Sequence, residues 1–212
     1  MSSRDREYRT RRTEYTRLLL RNFIVIMIFS EATKPNRKGG CMERKNIVTS
    51  KGNPLTLVGT ALKVGDKAPD FVALDKDMTP VGLKDFAGKV KVFSVTPSLD
   101  TPVCNLQATR FNEEAGKLPA DIAIINLSMD LPFAISRFCS AGGIDKIRTL
   151  SDHRDASFGN AYGVLIKELR LLARSIFVVD KNDTIRYMEI VPDITSHPDY
   201  TKTLEAVKAL TK

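Results

Sequence analysis

Tryptophan is absent from this 212-residue sequence, histidine occurs twice and cysteine three times. No two cysteines form a CxxC pair, which excludes a zinc-cluster protein and a disulfide-dense secreted knot. Apolar runs stop well short of the ~20 residues that a membrane-spanning helix requires. No internal repeat or low-complexity tract is present either. With 42% apolar and 27% charged residues, the composition is globular rather than collagenous or disordered. The length suits one ordinary domain or two very small ones, and the chemistry must rest on very few reactive side chains.

A net charge of +8 would suit a nucleic acid or an anionic membrane, but it is unevenly placed. Residues 1–41 carry ten Lys or Arg against four acids, whereas residues 42–212 carry 23 against 21. The basicity belongs to the first segment, so neither a nucleic-acid nor a membrane partner is expected of the folded body.

Three origins fit that first segment: a secretory leader, a disordered tail, or a spurious extension ahead of a start at Met42. Asp5, Glu7 and Glu14 sit among the arginines, Arg21 splits the apolar run, and no Ala-x-Ala follows Phe29. These features count against a leader, secretory or mitochondrial. Lys38-Gly39-Gly40 is what AAAGGAGGN encodes, a bacterial ribosome-binding sequence just ahead of Met42. The folded domain is therefore expected over 42–212, with 1–41 (and Cys41 in it) as an extension, disordered or wrongly assigned. The N-terminal mass of the native protein decides its origin.

From Met42 onward, strand and helix patterns alternate. Strands are expected at 54–58, 70–74, 89–95, 122–127, 147–150, 175–179 and 184–191. The 122–127 run (IAIINL) is continuously apolar, as in a buried parallel strand. Helices are expected at 102–115, where Val103, Leu106, Gln107 and Arg110 fall on related turns, and from Leu131-Pro132 to Gly142-Gly143. Shorter ones are expected at 84–88 and 156–164, and a last one at 203–210. Asp180-Lys181-Asn182-Asp183 is a hairpin signature. This order predicts an α/β fold of thioredoxin-like pattern, a central mixed sheet flanked by helices.

Cys104 falls where a strand ends and a helix begins, in the string PSLDTPVC. A thiol in a first helical turn meets unpaired backbone N–H groups and the positive end of the helix dipole, and both favour a thiolate. Pro97 and Pro102 stiffen the loop and can screen the sulfur from water. Thr101 can bond the sulfur or an incoming oxygen, or cap the helix. On position alone Cys104 is either a reactive thiol or a small buried hydrophobe. A cysteine hydrolase would pair it with a histidine base, for which His153 is the candidate. His153 and His197 match no metal-ligand spacing and read as surface residues.

Pro-x-x-x-Thr-x-x-Cys resembles the active-site signature of the peroxiredoxins. PSLDTPVC followed by FNEEA is similar to their thiol peroxidase branch, the atypical two-cysteine type. NPLTLVGTALKVGDKAPDF, SMDLPFAISRFC ending at Cys139, AYGV, LLARSIFVVD around Arg174 and the late PDY match the same branch in order. The resemblance covers nearly all of 53–212 and implies a thiol peroxidase of thioredoxin fold. It implies that Cys104 is the peroxidatic cysteine, helped by Thr101 and Arg174 with Pro97 shielding the pocket. Cys139, 35 positions on, is implied to be the resolving cysteine in a Cys104–Cys139 disulfide. Hydrogen peroxide and organic hydroperoxides are the implied substrates and thioredoxin the reductant, with no cofactor or metal. A cytoplasmic, bacterial homodimer is implied as well. A peroxide sensor that passes its disulfide to a partner protein remains the alternative. Because a disulfide needs Cα atoms within about 7 Å, two cysteines on separate helices must meet through local unwinding.

Overall fold

Odd-numbered positions of the central apolar runs pack on one side of a sheet and even-numbered positions on the other, as the two-residue period of a strand dictates. The structure, a computed structural model, describes residues 42–211; the expected 1–41 extension, Cys41 and Lys212 lie outside the described residues. Seven strands form the main sheet: β3 (Ala73–Leu74), β4 (Pro80–Val81), β5 (Val90–Val95), β6 (Ile122–Ser128), β7 (Arg148–Ser151), β9 (Ser175–Val179) and β10 (Ile185–Ile190). Their order is β10-β9-β5-β6-β7-β3-β4; β5, β6 and β7 run parallel, and β9 is antiparallel to β5. The sheet is mixed, as expected. A second sheet joins β1 (Glu43–Ser50), β2 (Asn53–Val58) and β8 (Leu165–Ile166).

Phe93, Val95, Ile125, Leu127, Phe177 and Val179 face one layer, where Phe71, Phe158 and Tyr162 pack with them ring against ring. Val90, Val92, Ile124, Ile176 and Val178 face the other. That second layer is made by α1 (Pro102–Ala115), α2 (Pro132–Gly142) and α4 (Tyr200–Ala209), through Ala108, Phe111, Ile135 and Val207. The helices carrying Cys104 and Cys139 thus share one face, over the neighbouring strands β6 and β7. Lys91, fully buried in β5, is satisfied by an ion pair with Asp183 in the β9–β10 turn.

Where elements differ from expectation, side chains have taken the backbone groups. The strand expected at 70–74 shrinks to Ala73–Leu74. Asp70 Oδ1 accepts the Phe71 and Leu83 N–H groups, and Val72 N–H donates to Ser157 Oγ. The helix expected at 203–210 starts at Tyr200, because Asp199 caps it by accepting from the Lys202 N–H. In α1 the buried stripe is Cys104, Gln107, Ala108 and Phe111, whereas Leu106 on the expected stripe is 59% exposed. The polar run ERKNIVTS gave no strand pattern, yet it forms β1 by pairing with β2 across Lys51-Gly52, both with positive φ.

The helix expected at 156–164 is only α3 (Ser157–Ala161), ended by Gly163 at φ +65°. Asp152 anchors it by accepting the Phe158 and Gly159 N–H groups at 3.0 and 2.8 Å. Burial pushes this carboxyl up to about 6, against the pull of those N–H donors toward the anion. The folded chain therefore holds the Asp152 proton more tightly than the unfolded chain does. The stabilisation is complete below about pH 4 and is lost as the pH rises through about 6, a change of about 3 kcal/mol. Asp152→Asn should abolish that component: denaturation of both proteins at pH 4 and pH 7 should show wild type gaining on the variant toward acid. An unchanged difference would refute the assignment.

Candidate active site

Pro102 opens α1 at the first helical position, and the first intrahelical donor is the Asn105 N–H, to the Thr101 carbonyl at 2.9 Å. Cys104 therefore lies in the turn where amide groups point out of the helix end. Its side chain is fully buried, and its Sγ is 3.2 Å from Arg174 Nη2. Arg174, 1% exposed, is held from three directions. Nε and Nη2 donate to the Ile194 carbonyl at 3.0 and 2.8 Å, and Nη1 donates to Gln107 Oε1 at 2.6 Å. Gln107 is in turn fixed by donating from Nε2 to Ser94 Oγ at 2.8 Å. The oxygen acceptors gripping this buried guanidinium are neutral, and its remaining hydrogen-bond partner is the Cys104 sulfur.

The N-terminal hairpin completes the clamp. Asp193 accepts from Thr49 Oγ1 at 2.9 Å and from the Gly52 N–H at 3.2 Å. The Ile194 N–H donates to the Thr49 carbonyl at 3.0 Å. Strand β1 thereby holds the segment whose carbonyl orients Arg174. Hydrogen bonds from the Thr195 hydroxyl and N–H, first among several donors, hold the Asp193 carboxyl well below the usual carboxylate range.

Cys139 lies in the last turn of α2, and its carbonyl accepts the N–H groups of Gly143 and Ile144 that close the helix; Gly143 has φ +61°. Its half-buried thiol is 3.6 Å from Thr149 Oγ1 on β7 and borders a cavity of about 680 Å³ lined also by Ile135, Ile144 and Arg148. Burial pushes this thiol up. Cys104 and Cys139 have separate partners, Cys104 at a helix start and Cys139 at a helix end. Thr101 is exposed and occupies the N-cap position without a side-chain cap bond; its hydroxyl donates to the Ser98 carbonyl at 3.2 Å. The structure thus brings Arg174 to Cys104, whereas the Thr101 hydroxyl is engaged by the Ser98 carbonyl. Pro97 is buried just past β5. His153 Nδ1 lies 2.8 Å from Ser151 Oγ, and exposed His197 is 3.0 Å from the Tyr200 hydroxyl. His153 is only partly exposed, rather than the surface residue expected.

Residues 63–204 match the Redoxin family. The thiol peroxidase of Bacillus subtilis (strain 168) is 57% identical over 165 residues, 78% of this chain and 98% of that protein. The chain belongs to the redoxin family, in its thiol peroxidase branch. The thiol peroxidase of Halalkalibacterium halodurans is 54% identical over 76% of this chain and 97% of its own length. A crystal structure described as a peroxiredoxin-like protein from Aquifex aeolicus superposes with a TM-score of 0.73 at 41% identity, covering 81% of this chain and 99% of that one.

For a thiol peroxidase, two side chains that sequence reasoning passed over belong to the site. Gln107 lies three positions after Cys104 on the same buried stripe as Ala108 and Phe111. A polar residue on an apolar stripe was the available signal. Tyr200, 9% exposed, packs tilted against Phe111 with ring centres 5.6 Å apart, lies beneath Arg110, 4.1 Å from its ring centre, and is near enough to Arg174 and Cys104 to feel their charge. Chemically, a small nucleophile beside an immobile cation can attack a neutral electrophile and stabilise the oxygen that departs as an anion.

Proposed function

We propose that Cys104 is the peroxidatic and Cys139 the resolving cysteine of a thioredoxin-recycled thiol peroxidase. Thiol-dependent reduction of hydroperoxides is the reaction of the family to which the chain belongs. The observation that carries the assignment is the 3.2 Å contact of Cys104 Sγ with the buried Arg174 guanidinium.

In the first step the Cys104 thiolate attacks the terminal peroxide oxygen. An S–O bond forms, the O–O bond breaks, and the departing alkoxide or hydroxide takes a proton to leave as alcohol or water. Sulfur is oxidised to a sulfenic acid and the peroxide is reduced. Arg174 faces the developing anion with its charge already fixed in place. Next, the Cys139 sulfur displaces the sulfenic hydroxyl, forming the S–S bond and releasing water. A dithiol protein of thioredoxin type then exchanges its two thiols for this disulfide. Pro97 screens the sulfur, and the Thr101 hydroxyl, which donates to the Ser98 carbonyl here, turns to bond the incoming oxygen. The elevated Cys139 thiol stays protonated while buried and becomes a competent nucleophile as its helix end unwinds. The protein is read as a cytoplasmic bacterial homodimer.

Cys139→Ser decides the resolving role. The variant should still consume one equivalent of peroxide, yet its recycling by thioredoxin should fall by at least about tenfold. Over-oxidised Cys104 should accumulate, visible in the intact mass. Recycling at the wild-type rate would remove Cys139 from the cycle.

A further inference from the structure

Asp130 stands between the end of β6 and the start of α2 and has no part in the steps above. Its carboxylate reaches across to the loop that precedes Cys104. Oδ2 accepts the Leu99 N–H at 2.7 Å and Oδ1 accepts the Ser98 hydroxyl at 2.8 Å. Its carbonyl accepts the Ser151 hydroxyl, and its N–H donates to Ser128 Oγ at 3.3 Å. Ser98 passes the restraint onward: its carbonyl accepts the Thr101 N–H at 3.3 Å and the Thr101 hydroxyl at 3.2 Å. Leu99, 2% exposed, is packed into the apolar layer beneath α1 and α2. One end of Asp130 thus grips the loop that leads into the Cys104 helix. The other is the backbone that enters, two residues on at Pro132, the helix carrying Cys139.

We propose that Asp130 is a positioning residue, a latch that holds the Cys104 loop and the Cys139 helix wound and apart and releases both together when the disulfide forms. The proposal rests on the Cys104–Cys139 disulfide reading. Closing that bond requires the two Cα atoms to come within about 7 Å, so at least one helix end must unwind. Cys139 sits in the last turn of α2 and Asp130 just before its first, so it is displacement of α2 as a body, rather than fraying of its last turn, that pulls Asp130 and breaks the two charge-assisted bonds to Ser98 and Leu99. Displacement of α2 therefore frees the loop ahead of Cys104 in the same movement. The strength of the latch sets how a sulfenic acid at Cys104 divides between closure to the disulfide and a second oxidation to the sulfinic acid.

Asp130→Asn keeps the shape but removes the charge and replaces one acceptor oxygen with a donor. The full-length reduced protein should then exchange its amide hydrogens about tenfold faster over 97–106 and 131–142. The strands β5, β6 and β9 should be unchanged. Under turnover with hydrogen peroxide and dithiothreitol, half-conversion of Cys104 to the sulfinic acid, read from intact mass, should need about tenfold more peroxide. Ser98→Ala, which removes one of the two bonds, should move both readouts in the same direction by less. Wild-type exchange with an unchanged or lowered sulfinic threshold would overturn the latch, as would accelerated exchange spread over the whole sheet. If oxidised wild-type protein yields no Cys104–Cys139 peptide, the disulfide reading has failed, and the exchange measurement alone decides the latch.

Discussion

Cys104→Ser should eliminate peroxide-dependent turnover, by at least about a thousandfold, without unfolding the protein. Serine offers a hydroxyl that stays protonated at neutral pH, and its oxygen does not attack a peroxide bond. The replacement is nearly isosteric, and Arg174 Nη2 keeps an acceptor where the sulfur was. The stability change should therefore stay within about 1 kcal/mol. NADPH consumption coupled through thioredoxin, with cumene hydroperoxide as substrate, measures the loss, and a thermal melt measures the fold. Turnover within tenfold of wild type would move the chemistry off this residue. A single stoichiometric oxidation of the wild type, without repeated turnover, would instead favour the sensor.

Arg174→Lys should lower kcat/KM for peroxide by roughly a hundredfold, although the charge is conserved. The guanidinium spans four contacts at once: two to the Ile194 carbonyl, one to Gln107 Oε1 and one to Cys104 Sγ. An ammonium has three donors radiating from a single point and cannot reproduce that planar fork. The lysine that fits behind Gln107 would leave the sulfur without its cation, or the reverse. Loss of one preorganised donor to a developing anion typically costs 10²–10³ in rate. Initial rates at saturating thioredoxin isolate the peroxide step. A value within threefold of wild type would show that a diffuse positive charge suffices.

Much of this arrangement could be read before the fold was seen, and the reasons differ by residue. The placement of Cys104 in a first helical turn was legible from where the strand and helix patterns meet, although that placement alone suits a buried hydrophobe as well as a reactive thiol. Strands β6 and β9 were legible because burial of both faces writes a nearly continuous apolar run, and β5 because its β-rich residues alternate. Arg174 was different. Its position before SIFVV is equally that of a solvated cation, and only the resemblance to the peroxiredoxins singled it out. Gln107 and Asp130 were passed over because each acts through a tertiary contact, Gln107 across to Arg174 and Asp130 across to Ser98 and Leu99. Local pattern can mark Gln107 as a polar residue on an apolar stripe, but it does not name the partner across the fold. Strand β1 was missed for a related reason: its polar residues form a ladder only because β2 folds back beside them.

That missed strand alters how the borders of the enzyme are to be drawn. Asp193 ties Thr49 and Gly52 to the segment whose carbonyl aims the guanidinium. The opening hairpin is thus part of the scaffolding of the reactive centre, although more than a hundred residues of chain separate Thr49 from Arg174. Anyone trimming the molecule to a minimal catalyst, or grafting a fusion joint beside β1, has to leave the first β-ladder whole.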